Sequence, residues 1–227
     1  MYRTTRYIIL AAVVCGLAAC APRPTLAPAP GAQPAPGPEG GAAARMAGIE
    51  VRAWPERWEA EPRDLITHAT PLLIRLENNG SEPILVRYEL FDLRNPVGDD
   101  FPAMPPYDLD GTVTEAVTVH RYPLTGFRVA PHLRRWYPGM LAYEDPFMLN
   151  RPFWSRHHTV WREIQLPTAD MIQMALPEGV LEPGGVASGY VYFERVTEQP
   201  SEVTLDFRLV TPDDRELGSV RIPFTVD

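Results

Sequence analysis

From Ile49 onward, apolar residues recur at every second position in short runs that end in turn residues, and a repeat of two is the side-chain period of a β-strand. Leu72, Ile74 and Leu76 share one face and Arg75 and Glu77 the other, before Asn78-Asn79-Gly80, residues that tolerate left-handed backbone. Ile84, Val86, Tyr88 and Leu90 make the next alternating set, expected as the hairpin partner of the first. Val203, Leu205, Phe207 and Leu209 alternate with polar residues, and Val220, Ile222, Phe224 and Val226 repeat the pattern after Thr211-Pro212-Asp213-Asp214. The run from 186 to 194 is apolar on both faces, as a central strand is, and residues 49–54 and 113–119 add two more runs. About seven strands in this texture predict an all-β fold, an immunoglobulin-like antiparallel sandwich, with a small barrel as the alternative.

One short helix is expected. Thr168 can cap it, Asp170 places a negative charge in its first turn, and Met171, Ile172, Met174, Ala175 and Leu176 give an apolar stripe that Pro177 stops. It would close one end of the sandwich. Pro183-Gly184-Gly185 then has the composition of a type II turn leading into the strand at Val186.

The first twenty residues read as an address. Arg3 and Arg6 form a positive start, Tyr7 to Val14 a short apolar run, and Leu17-Ala18-Ala19-Cys20 a small-residue end; the run is too short for a stable membrane span. Leu17-Ala18-Ala19-Cys20 resembles the lipobox of bacterial lipoproteins. The resemblance implies removal of residues 1–19, a diacylglyceryl thioether on Cys20 and an acyl group such as palmitate on the new amino terminus. Ala21 stands where an aspartate would favour the inner membrane, so the resemblance implies the cell outer membrane, with the domain in the periplasm. Several acyl chains at roughly 0.8 kcal/mol per buried methylene make a near-permanent anchor. Cys15 leaves with the leader and Cys20 is consumed, so the mature domain has no thiol for catalysis, zinc or disulfides.

Residues 20–47 then read as the lipidated cysteine and a tether, since Pro22, Pro24, Pro28, Pro30, Pro34, Pro36 and Pro38 lie among alanines and glycines with almost no large apolar residue. Such a linker would hold the domain, residues 48–227, between roughly 30 and 80 Å from the membrane. The Asn78-Asn79-Gly80 and Pro183-Gly184-Gly185 turns also resemble those of a loose class of bacterial lipoproteins with an immunoglobulin-like domain, a resemblance that carries no catalytic residue.

An insertion at about 99–167 exceeds the usual loop of about 4 to 6 residues. Its window 121–162 contains nine aromatics and seven arginines against Glu144 and Asp145, a charge of +5. Without Arg3 and Arg6 the formal charge moves from −8 to −10, which leaves −15 on the rest of the mature chain. Arg134, Arg135, Trp136, Tyr137, Phe153, Trp154, Arg156 and Trp161 are the candidate partner-binding surface, because arginine and aromatic side chains concentrate at interface centres. Its targets would be an envelope protein or an anionic envelope component. The role that long insertions in sandwiches more often have is a cover, with the aromatics folded over an open sheet edge and the arginines snorkelling outward. Nucleic acid is excluded by the acidic balance and the compartment.

Catalytic patterns are thin. His157-His158 could hold a metal only in a bent loop, because neighbours on a strand face opposite ways. Asp108-Leu109-Asp110-Gly111-Thr112 with Glu115 echoes a calcium loop but lacks its ligand spacing. Ser155 near His157 lacks an orienting carboxylate, and there is no nucleophile elbow or phosphate-cradling glycine loop. The expectation is therefore a lipid-anchored envelope protein with a binding or structural role, no enzyme and no cofactor; the alternative is a metal-assisted periplasmic hydrolase using the insertion histidines.

Overall fold

The computed structural model describes residues 24–55, 57–96, 98, 100–116, 161–196 and 201–226. In chain order the strands are β1 (Leu26–Pro28), β2 (Gln33–Pro34), β3 (Ala42–Met46), β4 (Ile49–Trp54), β5 (Ala69–Asn78), β6 (Ile84–Val86), β7 (Phe91–Arg94), β8 (Asp100–Met104), β9 (Thr112–Ala116) and β10 (Trp161–Gln165). After α1 (Ala169–Met174) come β11 (Gly179–Leu181), β12 (Val186–Glu194), β13 (Glu202–Val210) and β14 (Glu216–Val226). The fold is all-β, with antiparallel strand pairs, a single parallel bridge between Ala175 and Tyr190, and one lone α-helix among the described residues. None of the described helices is long and apolar enough to cross a membrane.

Ten strands make one sheet in the order β1-β14-β13-β7-β8-β12-β5-β4-β3-β2. β8 turns the corner: Asp100 to Pro102 pair with β7, whereas Ala103 and Met104 pair with β12. The two halves thereby enclose one core, in which Phe207 stacks on Phe91 at 4.1 Å and Ile74, Leu76, Phe193 and Phe224 are fully buried. The curl nearly closes, since Met46 of β3 lies 3.6 Å from where a side chain on Gly218 of β14 would begin.

A second core lies on the other face of β12. Tyr190 and Tyr192 point away from Val191 and Phe193 and pack with Leu65, Leu109, Val113, Leu166 and Met171. The alternation of β12 is therefore apolar on both sides because the β9–β10 hairpin, α1 and the 3-10 turns cover that part of the sheet.

Three expectations are corrected. The Pro/Ala stretch read as tether contributes β1, β2 and β3, with Ala42 and Ala43 buried. Prolines are tolerated there because β1 and β2 are the outermost strands, where missing amide donors cost no ladder bond. Gly41 leaves room for the Trp54 indole, whose Nε1 donates to the Pro38 carbonyl at 3.2 Å. Second, Ile84–Leu90 is not the hairpin partner of β5, which pairs with β4 and β12; β6 pairs with β11, and Tyr88–Leu90 is a 3-10 turn. Tyr88 is drawn inward there, its hydroxyl donating to the Leu176 carbonyl at 2.6 Å. Third, β8 lies within the span read as insertion and yet belongs to the main sheet.

Candidate functional site

Among the described residues a cleft of about 320 Å³ lies at the N-terminal end of the fold, in the size range of small-ligand sites. Pro24, Thr25 and Leu26 form one wall, Pro55, Trp58, Arg63 and Ile66 of the β4–β5 connection another, and Thr70, Pro71 and Val196 the floor. Its surface is mainly apolar, and among the described residues Arg63 is its one charged lining residue and is exposed.

The β4–β5 connection is held by its neighbours. Trp58 packs edge-on against Tyr190 at 5.0 Å and Tyr192 at 5.8 Å, and its Nε1 donates to the Pro62 carbonyl at 2.7 Å. The Tyr190 hydroxyl donates to the Arg57 carbonyl. The Arg63 amide donates to Glu115 Oε2 at 2.9 Å, and Arg162 Nη2 donates to Glu115 Oε1 at 3.0 Å and Glu61 Oε1 at 2.5 Å. Thr168, the α1 cap, accepts from the Met171 amide at 3.3 Å and donates to the Glu61 carbonyl at 2.7 Å. Charge-assisted bonds of this kind fix the loop beside the β9–β10 hairpin.

The buried phenols are structural. Burial pushes the Tyr192 and Tyr190 hydroxyls up from their ordinary range, and burial with the Glu178 charge pushes Tyr88 up to about 12. All three stay neutral at physiological pH and donate to backbone carbonyls, Tyr192 to Met171 at 3.0 Å. On the outer face of β13, buried Asp206 meets Arg94 Nη1 at 3.4 Å and Arg221 Nε at 3.5 Å, while Arg94 also reaches Asp92 at 3.3 Å. With Asp100 opposite Arg94 in the ladder, three carboxylates thus surround Arg94, and the Asp92 bond and their charges hold its guanidinium more firmly protonated.

Cys20, Arg134, Arg135, Trp136, Tyr137, Phe153, Trp154 and Arg156 lie outside the described residues, as do His120, His132, His157 and His158. Trp161 opens β10 opposite Ala116. Glu115 of the calcium-like stretch is engaged by the Arg63 amide and Arg162, and His68 Nδ1 shares a hydrogen bond with Thr67 at 2.9 Å. The described residues contain no group of three or more candidate metal ligands. The cleft was missed in the sequence because its walls come from the supposed tether and a connecting loop. The available signal was that loop itself, 55–68, which carries Trp58 and two prolines and exceeds the common length.

No protein-family model matches the chain, and no curated protein matches it in sequence.

Proposed function

We propose that the protein is a lipid-anchored envelope protein of the outer membrane, its domain in the periplasm, acting as a binding or structural module rather than as an enzyme. The observation that carries this reading is the position of the apolar cleft: its first wall begins at Pro24, four residues after the lipobox-like Cys20. The sequence pattern of the leader supplies the anchor, and a largely apolar concavity with one guanidinium suits binding better than acid–base chemistry. For the finer fold, two sheet halves around one core, joined by the crossing strand β8, support an immunoglobulin-like sandwich with extra edge strands. The aromatic and arginine-rich segment 121–162 is proposed as a further contact surface for an envelope protein or anionic component.

Fractionation tests the anchor. The native protein should sediment with membranes, and its N-terminal peptide should carry the diacylglyceryl mass on Cys20. Cys20→Ala protein should appear in the soluble fraction; membrane association that survives the substitution would overturn the reading.

A further inference from the structure

We propose that the cleft end of the domain rests directly on the bilayer and that the cleft takes an acyl tail of an anionic phospholipid from it, with Arg63 facing the phosphate. The inference rests on the lipid-anchor reading and adds the orientation, the site and the ligand class.

The leash is short. Only Ala21, Pro22 and Arg23 separate Cys20 from Pro24, so the lipidated residue lies within about 14 Å of the cleft wall even when the chain is fully extended. β1 cannot peel away freely, because Leu26 pairs with Val226 and the Ala29 amide donates to the Pro223 carbonyl at 3.1 Å. Of the prolines that would have given a long stand-off, Pro28 and Pro34 lie in the edge strands β1 and β2, and Pro30, Pro36 and Pro38 in the turns and bends that follow them. The cleft is therefore the concavity that the anchor brings to the membrane.

Its chemistry fits that surface. Leu26, Pro55, Trp58 and Ile66 offer aliphatic and aromatic walls, and a half-buried tryptophan is suited to the level of the headgroups. Arg63 is exposed on the rim, while the neighbouring carboxylates Glu61 and Glu115 are both paired with Arg162. An arginine fork matches a phosphate. Most of the mature chain is acidic, so contact with an anionic surface is favoured through the exposed Arg63.

The test uses the full lipidated protein in phosphatidylethanolamine–phosphatidylglycerol vesicles whose acyl chains are brominated or unbrominated. The difference in emission between native protein and Trp58→Phe isolates Trp58 from the other four tryptophans. Bromination should remove most of the Trp58 contribution, and Arg63→Glu should restore it. A second measurement is independent of Trp58. The mature domain has no other free thiol, so spin labels on Thr25→Cys and Asp213→Cys report the two ends of the β13–β14 hairpin, since β1 pairs with the far end of β14 from the Asp213 turn. The label at 25 should be relaxed by oxygen and that at 213 by an aqueous nickel chelate. Protein that floats with the vesicles while Trp58 is unquenched and residue 25 reports water overturns the orientation and leaves the anchor standing. A label at 25 shielded from both reagents would place a protein or a second copy in the cleft and overturn the lipid assignment. Failure to float at all refutes the anchor instead.

Discussion

The Asn78 side-chain amide donates to the Leu181 carbonyl at 2.9 Å, joining two turns that lie 103 residues apart. The same nitrogen donates to the Glu82 carbonyl at 2.8 Å, and Asn78 Oδ1 accepts from the Gly80 amide at 3.0 Å. Its backbone completes the joint, with Gly184 donating to the Asn78 carbonyl at 2.7 Å and Asn78 to the Gly185 carbonyl at 3.0 Å. Asn78 is 1% exposed, so water cannot replace what its side chain supplies. Asn78→Ala would strand two carbonyls and an amide, a loss of about 2–4 kcal/mol. Urea unfolding should show it as a lower midpoint at unchanged slope. Asn78→Asp should not rescue the protein, because a carboxylate would face the two carbonyls with no proton to give.

Gly189 faces a similar constraint. A Cβ on Gly189 would stand 2.4 Å from the Leu176 nitrogen, where Leu176 donates to the Tyr190 carbonyl at 2.9 Å. Gly189→Ala must push the segment after α1 off β12, and overpacking of this kind costs about 1–3 kcal/mol. The mobility should be local: hydrogen exchange at the Leu176 amide should accelerate before that of β13.

The alternating runs made much of the fold legible. β4, β5, β12, β13 and β14 lie where period two placed them, and Thr168 caps α1 with Asp170 in its first turn. The Pro183-Gly184 turn is also present, with Gly184 at φ 79° and the Gly185 amide donating to the Glu182 carbonyl at 2.8 Å. What remained hidden was long-range. Nothing in 84–90 reveals that β6 finds β11 rather than β5, because either partner would bury Ile84 and Val86 equally well. The linker-like composition of 24–46 misled for a related reason: small residues there serve close approach to Trp54 and edge pairing, neither of which leaves a hydrophobic pattern. Within α1 only Met171 is buried, and Ile172 and Met174 are exposed, so the apolar stripe overstated the helix's contact with the fold. The cleft needed both misread segments before it could be seen.

Acid should weaken the outer face of β3 and β4 in a specific way. Burial raises the Glu50 carboxyl, but the hydrogen bonds and charges of Arg52 and Arg45 outweigh it and hold the group below the usual carboxylate range. A depressed folded pKa contributes stability above the unfolded value, about 4.3, and that contribution is lost as pH falls through the folded value. Glu50→Gln should therefore be less stable than the native protein at pH 7, and the gap should narrow on acidification to pH 3. Urea midpoints at the two pH values measure it; a gap of constant size would show that the charge on Glu50 is irrelevant to stability.

The root of the aromatic and arginine-rich window allows its two roles to be separated. Ala116 and Trp161 are antiparallel partners, so their Cα atoms are about 5 Å apart and a two-residue Asn-Gly turn can replace 117–160 without disturbing the ladder below. That ladder is anchored from Arg162 opposite Glu115 to Gln165 opposite Thr112, and Gln165 Nε2 donates to Thr112 Oγ1 at 2.8 Å. Among the described residues the second core is built by Leu65, Leu109, Val113, Leu166, Met171 and the tyrosines Tyr190 and Tyr192. If 117–160 is a contact surface, the shortened protein should unfold within about 4 °C of the native one, the shift expected of roughly 1 kcal/mol in a domain of this size. It should stay membrane-bound through Cys20 while losing whatever envelope component co-purifies with the native chain. A much larger drop in melting temperature would instead identify the segment as the cover of a sheet edge, with its aromatics contributing buried area.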